Sequence, residues 1–180
     1  MQGIIDFDQA LVARVNLLKG LSISKAVECF NDRVDLSPGA DILVKTLRRR
    51  GVYCVMVSGG FTLLADKIGS LLDFNEVFAN KLVTKDGILT GEVDQPVINA
   101  KKKLEILEQI CFQRGATTQE AVAVGDGAND VEVIKAAGVG VSYFGKRIVQ
   151  ENANISIRYS DLKTVLYCLG ISKTEFADFC

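Results

Sequence analysis

The chain has 180 residues, with 21 Lys+Arg against 22 Asp+Glu for a formal net charge of −1. That length suits one domain with a small appendage, and it buries enough surface to need no metal or disulfide staple. A composition 24% charged and 48% hydrophobic excludes a disordered chain, and the balanced charge leaves no global field for nucleic acid or an anionic membrane. Histidine is absent, so a Ser-His-Asp triad, a Cys-His pair, a phosphohistidine and a histidine-ligated zinc are excluded. Acid–base work falls to Asp, Glu, Lys or Tyr. Five scattered cysteines without a C-x-x-C pair point to a reducing, cytoplasmic setting. No apolar run is long enough to span a bilayer, and no secretory leader is evident.

The opening third reads as helical. Asp8 can cap a helix through Leu11, Val15 and Leu18 that ends at Gly20. Ser22 or Ser24 can cap a second, and Pro38 opens a third that runs to Arg48-Arg49-Arg50-Gly51. From Gly51 short apolar runs alternate with helices. Val52–Val57 has the continuous β-rich character of a strand buried in a parallel sheet. Phe61–Leu72 reads as helix. Lys81–Val93 carries Asp86-Gly87 between two β-rich runs, a hairpin signature. Asn99–Arg114 is a long amphipathic helix, Ala121–Val124 another buried strand, and Asn129–Ala137 a helix. Val139–Tyr143 and Ile155–Ile157 read as strands, with a helix over Asp161–Leu169. The alternation predicts an α/β fold with a doubly wound parallel sheet. The helical opening is a separate unit, residues 1–37, and the sheet-bearing core covers 38–180.

Ligands of such sheets bind beyond the carboxyl ends of the strands, and two of those ends are polar and rich in glycine. Val57-Ser58-Gly59-Gly60 offers a hydroxyl and backbone N–H groups to an anion, although a Ser cap followed by flexible glycines would be spelled the same way. Gly125-Asp126-Gly127-Ala128-Asn129-Asp130 is neither a P-loop nor a dinucleotide fingerprint. Its two carboxylates are hard oxygen ligands of the kind that hold Mg2+ beside a phosphate. That reading is preferred over an Asp-Gly turn with an Asn cap. Lys101-Lys102-Lys103 opens the long helix. A solvated run is the bland explanation, but at least one lysine can face an anion there. Together the pieces describe a Mg2+-assisted phosphate site.

The chain resembles the haloacid dehalogenase superfamily, and within it the phosphoserine phosphatase family. The resemblance is carried by Val55–Phe61, Phe78–Leu82, Asp86–Gly91, Ala123–Asp130 and, for the helical cap, Arg14–Leu21. It implies a haloacid dehalogenase-like Rossmannoid core with part of a helical cap and a β-hairpin. The implied activity is Mg2+-dependent hydrolysis of O-phospho-L-serine, the last step of serine biosynthesis. The resemblance gives Ser58 and the Gly59 N–H to the phosphoryl oxygens, Lys103 to charge neutralisation, Asp126 and Asp130 to the metal shell, and Asn129 to substrate. Arg14 would pair with the serine carboxylate and Phe7 would line the same pocket. Phe144-Gly145-Lys146-Arg147 departs from the family's Ala-Lys-Pro.

The superfamily's first motif is an apolar strand ending in Asp-x-Asp-x-Thr, which supplies the nucleophile and the general acid. Asp6-Phe7-Asp8 imitates its spelling, which makes Asp6 and Asp8 minor candidates. Only Ile4 and Ile5 precede them as a strand, Ala10 replaces the hydroxyl, and Ser58 follows too soon for a cap plus a core helix. The register expected instead starts the chain inside the cap, with the first core strand missing and two sheet edges left unpaired. Three readings follow: a phosphoserine phosphatase, alone, as a homodimer, or with a complementing N-terminal fragment; an inactive remnant or phosphate-binding module; or a phosphatase for another small phosphomonoester.

Overall fold

The computed structural model describes residues 7–177. In chain order come α1 (Phe7–Asn16), α2 (Ile23–Arg33), α3 (Ala40–Arg49), β1 (Val55–Phe61), α4 (Thr62–Leu71) and β2 (Glu76–Asn80). β3 (Leu82–Lys85), β4 (Ile88–Val93), α5 (Ala100–Gln113), β5 (Val122–Gly125), α6 (Val131–Ala136) and β6 (Val139–Tyr143) follow. The remaining helices and strand are α7 (Arg147–Gln150), β7 (Ile155–Ile157) and α8 (Lys163–Cys168). The chain divides into two compact units: residues up to Asp35 together with Tyr53–Asn99, and Leu36–Val52 together with residues from Ala100 onward. No helix among the described residues is long and apolar enough to cross a membrane.

In the first unit α1 packs on the β3–β4 hairpin. Leu11, Val15, Val93 and Val97 form its buried centre, flanked by Phe7, Phe61 and Leu82. The helix starts at Phe7, so Asp8 lies in its first turn rather than at the cap, and it ends at Asn16 before the turns leading to Gly20. Ser22 caps α2 by accepting the Lys25 N–H at 3.4 Å. Asp86 and Gly87 both take positive φ, 51° and 76°, between the paired residues Lys85 and Ile88. Two such residues make the two-residue turn whose twist matches the strands. β1 runs parallel to β2, a strand the periodicity did not announce. α4 lies close on β2 because Gly69 has no side chain; a Cβ there would stand 2.2 Å from Val77 Cγ2.

In the second unit β5, β6 and β7 form a parallel sheet. One side buries Leu43, Val141, Ile157, Val165, Leu166 and Ile171, with α3 packed against α8. A second cluster joins Ala123, Ile134, Ala137 and Val149. Leu166 has no exposed surface, and a Leu→Ala change at such a site leaves a cavity. Leu166→Ala is expected to cost about 2–5 kcal/mol in urea denaturation.

The α/β class with parallel strands and helices is as expected, but the parallel strands lie in two sheets, one in each unit. β1 has a single partner, β2, and β5 a single partner, β6, among the described residues. Both were expected to be buried strands, and this needs correction. No residue of β1 is fully buried, and Val122 and Val124 of β5 are 40% and 42% exposed. Ala123 faces α6 and is covered, whereas Val122 and Val124 alternate to the opposite face, which the described residues leave open.

Candidate active site

The acidic turn is the most closely specified polar feature of the second unit. β5 ends at Gly125, and the chain turns through Asp126 and Gly127 into one 3-10 turn, Ala128–Asp130, before α6. Asp130 folds back under the turn. Its Oδ2 accepts the N–H groups of Asp126 at 3.1 Å and Gly127 at 3.0 Å. Its Oδ1 accepts Lys103 Nζ at 2.5 Å, and both side chains are only 9% exposed. Lys103 sits in the first turn of α5, where the helix dipole disfavours a cation, so Asp130 is what holds the ammonium there. Gly125 makes the close approach possible, since a Cβ would lie 2.5 Å from Asp130 Cβ. Asp126 itself is exposed, and Asn129 is half-buried beside Gly127. The Lys146 N–H donates to the Asp126 carbonyl at 3.0 Å, tying the loop after β6 to the turn.

The glycine-rich end of β1 lies in the first unit. Val57 pairs with Phe78 and Phe61 with Asn80, so Ser58-Gly59-Gly60 bulges opposite the single residue Ala79. The Gly60 N–H donates to Ser58 Oγ at 3.0 Å, and Asn80 Nδ2 donates to the Gly59 carbonyl at 2.9 Å. Arg14 is exposed on α1, its Nε donating to the Ala10 carbonyl at 3.1 Å. Phe7 packs against the cluster that also holds Phe61.

Of the residues singled out from sequence, Lys103, Asp126, Asn129 and Asp130 come together in one unit; Ser58, Gly59, Arg14 and Phe7 lie in the other. Asp6 lies outside the described residues. Asp8, the other minor candidate, is in a helix rather than at a strand end, and both its oxygens accept Asn99 Nδ2, at 3.3 and 3.1 Å. Sequence reasoning missed Asn80 and the backbone role of Lys146. Asn80 lies within Phe78–Leu82, but nothing in its spacing marks it.

Among the described residues no three His, Cys, Asp or Glu side chains cluster as a metal cage. The donor set suits Mg2+ all the same, because that ion takes one or two carboxylates and fills its shell with water and phosphate oxygens. Asp126 is the exposed carboxylate. Asp130 has both oxygens committed to Lys103 and the turn.

A parallel α/β unit with an acidic turn at a strand's carboxyl end and a buried lysine beside it suits an anionic ligand held with a hard cation. The chain belongs to the haloacid dehalogenase-like hydrolase family, which it matches over residues 2–135. Within that family it is similar to phosphoserine phosphatases. It is 42% identical over 166 residues to the one from Methanocaldococcus jannaschii, covering 92% of this chain and 78% of that one. The Streptomyces coelicolor enzyme is 41% identical over 175 residues, covering 97% of this chain and 42% of that one. A phosphoserine phosphatase solved as a phospho-aspartyl intermediate analogue superposes with a TM-score of 0.86 at 41% identity, over 96% of this chain and 81% of that chain.

Proposed function

We propose that the protein is a Mg2+-dependent phosphatase that hydrolyses O-phospho-L-serine to L-serine and phosphate in the cytoplasm. The observation that carries the reading is the buried Lys103–Asp130 pair, which fixes a cation under the acidic turn. Phosphoryl transfer asks little covalent chemistry of a protein beyond positioning and charge stabilisation. Lys103 supplies positive charge to the phosphoryl oxygens, and Asp130 keeps that ammonium aimed while closing the turn. Asp126 would hold Mg2+ and Asp130 would support its shell; the ion when bound would offset phosphate charge. Ser58 O–H and the Gly59 N–H donate to phosphoryl oxygens. Asn129 contacts the substrate. Arg14 offers a planar fork to the serine carboxylate, and Phe7 contributes apolar lining. The division between cap, residues 1–37, and core, 38–180, belongs to the same proposal.

Hydrolysis breaks the bond between phosphorus and the serine oxygen, which leaves with a proton, and water ends on phosphorus. No described residue takes the part of nucleophile. The open edges of β1 and β5 favour a second reading, a phosphate-binding module, in which the same residues bind without turnover. Phosphate release from phosphoserine with Mg2+ separates the two. Steady release, lowered at least about a thousandfold by Asp126→Ala, is the expected result. Binding of inorganic phosphate without release supports the module instead.

A further inference from the structure

Asn80 is 2% exposed at the end of β2, and its amide is committed at both ends. Nδ2 donates to the Gly59 carbonyl at 2.9 Å, and Oδ1 accepts the Ile98 N–H at 2.7 Å. These partners fix which end is oxygen, since the reversed amide would set donor against donor and acceptor against acceptor. The Gly59 carbonyl belongs to the planar peptide whose N–H end is Gly60, and that N–H donates to Ser58 Oγ at 3.0 Å. In a trans peptide the carbonyl and the N–H point opposite ways, so gripping one end aims the other. The strand bulges over Ser58–Gly60, and within that bulge the buried amide takes the Gly59 carbonyl.

We propose that Asn80 is a positioning residue for phosphate, acting through the Gly59–Gly60 peptide on the hydroxyl of Ser58. A hydroxyl has one proton and two lone pairs. With the Gly60 N–H directed at a lone pair, the Ser58 proton turns away from the peptide and is the group left to donate to an anion. The bonds run in one direction, from Asn80 to the peptide to Ser58, and each polarises the next. Without Asn80 the Gly59 carbonyl is unheld and the peptide can rotate, so the hydroxyl loses its set orientation. The inference rests on Ser58 being a phosphoryl contact, as in the function proposed above.

The test is titration of the full chain with inorganic phosphate and Mg2+, followed calorimetrically and through amide resonances, in Asn80→Asp, Ser58→Ala and the double variant. Asn80→Asp keeps an acceptor for Ile98 and puts an oxygen against the Gly59 carbonyl. The expected result is phosphate affinity about tenfold weaker in Asn80→Asp, and less than about twofold weaker when Ser58 is already Ala, because the two act as one unit. Equal losses in both backgrounds overturn the inference, since a general brace would act regardless of Ser58. If Asn80→Asp does not fold, the unaltered protein answers: phosphate is expected to move the Asn80 side-chain amide signal, and to cease doing so in Ser58→Ala. A signal that does not move overturns the inference. Phosphate binding with this coupling but no phosphoserine hydrolysis refutes only the proposed activity; no phosphate binding at all refutes both.

Discussion

Lys103→Met is expected to lower phosphate release from phosphoserine at least about a hundredfold and to destabilise the chain by about 3–5 kcal/mol in urea. The two losses have separate causes. Methionine fills the space of the lysine stem but leaves Asp130 charged, buried and facing an apolar group, with only the Asp126 and Gly127 N–H groups in compensation. An uncompensated buried carboxylate costs far more than the intact pair contributes. Adding Asp130→Asn should return most of the stability. The Asn oxygen can still accept both backbone N–H groups, and its neutral NH2 rests against methionine without a stranded charge. It should return none of the activity, because the cation is still missing. Measured together, the single and double variants divide folding from chemistry. A double variant as unstable as Lys103→Met would mean the turn depends on the ion pair itself. A Lys103→Met protein with undiminished turnover would remove Lys103 from the site.

Much of this arrangement was legible because local chemistry announced it. Asp86-Gly87 demanded positive φ at two successive positions, and the hairpin formed around them. The strand-to-helix turn at Gly125–Asp130 put two carboxylates after a short apolar run, and that turn is where the buried lysine docks. What escaped depended on partners distant in sequence. β2 is five residues with little alternation, and it becomes a strand only by pairing with β1. β1 begins at Val55 rather than Val52, because the Val52 N–H is taken by the Leu47 carbonyl and the Cys54 N–H by Asn75 Oδ1. It runs on to Phe61 because the Ser58–Gly60 bulge lets pairing resume at Asn80. Asn80 read as one polar residue after Phe78-Ala79; its grip on Gly59 spans 21 positions, and no periodic pattern encodes such a bond. Asp130 reads from sequence as a carboxylate supporting a metal shell; its grip on two backbone N–H groups and an ammonium 27 positions away is the part that no local pattern encodes.

The edge of β5 should be the least protected part of an otherwise well-packed sheet. β6 pairs on both sides, with β5 and β7, and its Val141 is 1% exposed. Amides there are expected to open only with the unit as a whole. Among the described residues β5 pairs on one side, so every other N–H points away from β6 with no ladder partner there, and the flanking Val122 and Val124 remain exposed. In native-state hydrogen exchange the outward amides of β5 are expected to exchange at least about a thousandfold faster than those of β6, a gap of ~4 kcal/mol in opening free energy. The same edge, apolar and free of charge from Ala121 to Val124, should make the chain self-associate as concentration rises. Val124→Lys, which places a charge on the open face without touching Ala123 or the acidic turn, should suppress that association while leaving the β6 protection intact. If the outward amides of β5 prove as slow as those of β6 in dilute monomer, something covers the edge. A segment lying along it in parallel would bring its carboxyl end beside Gly125 and Asp126.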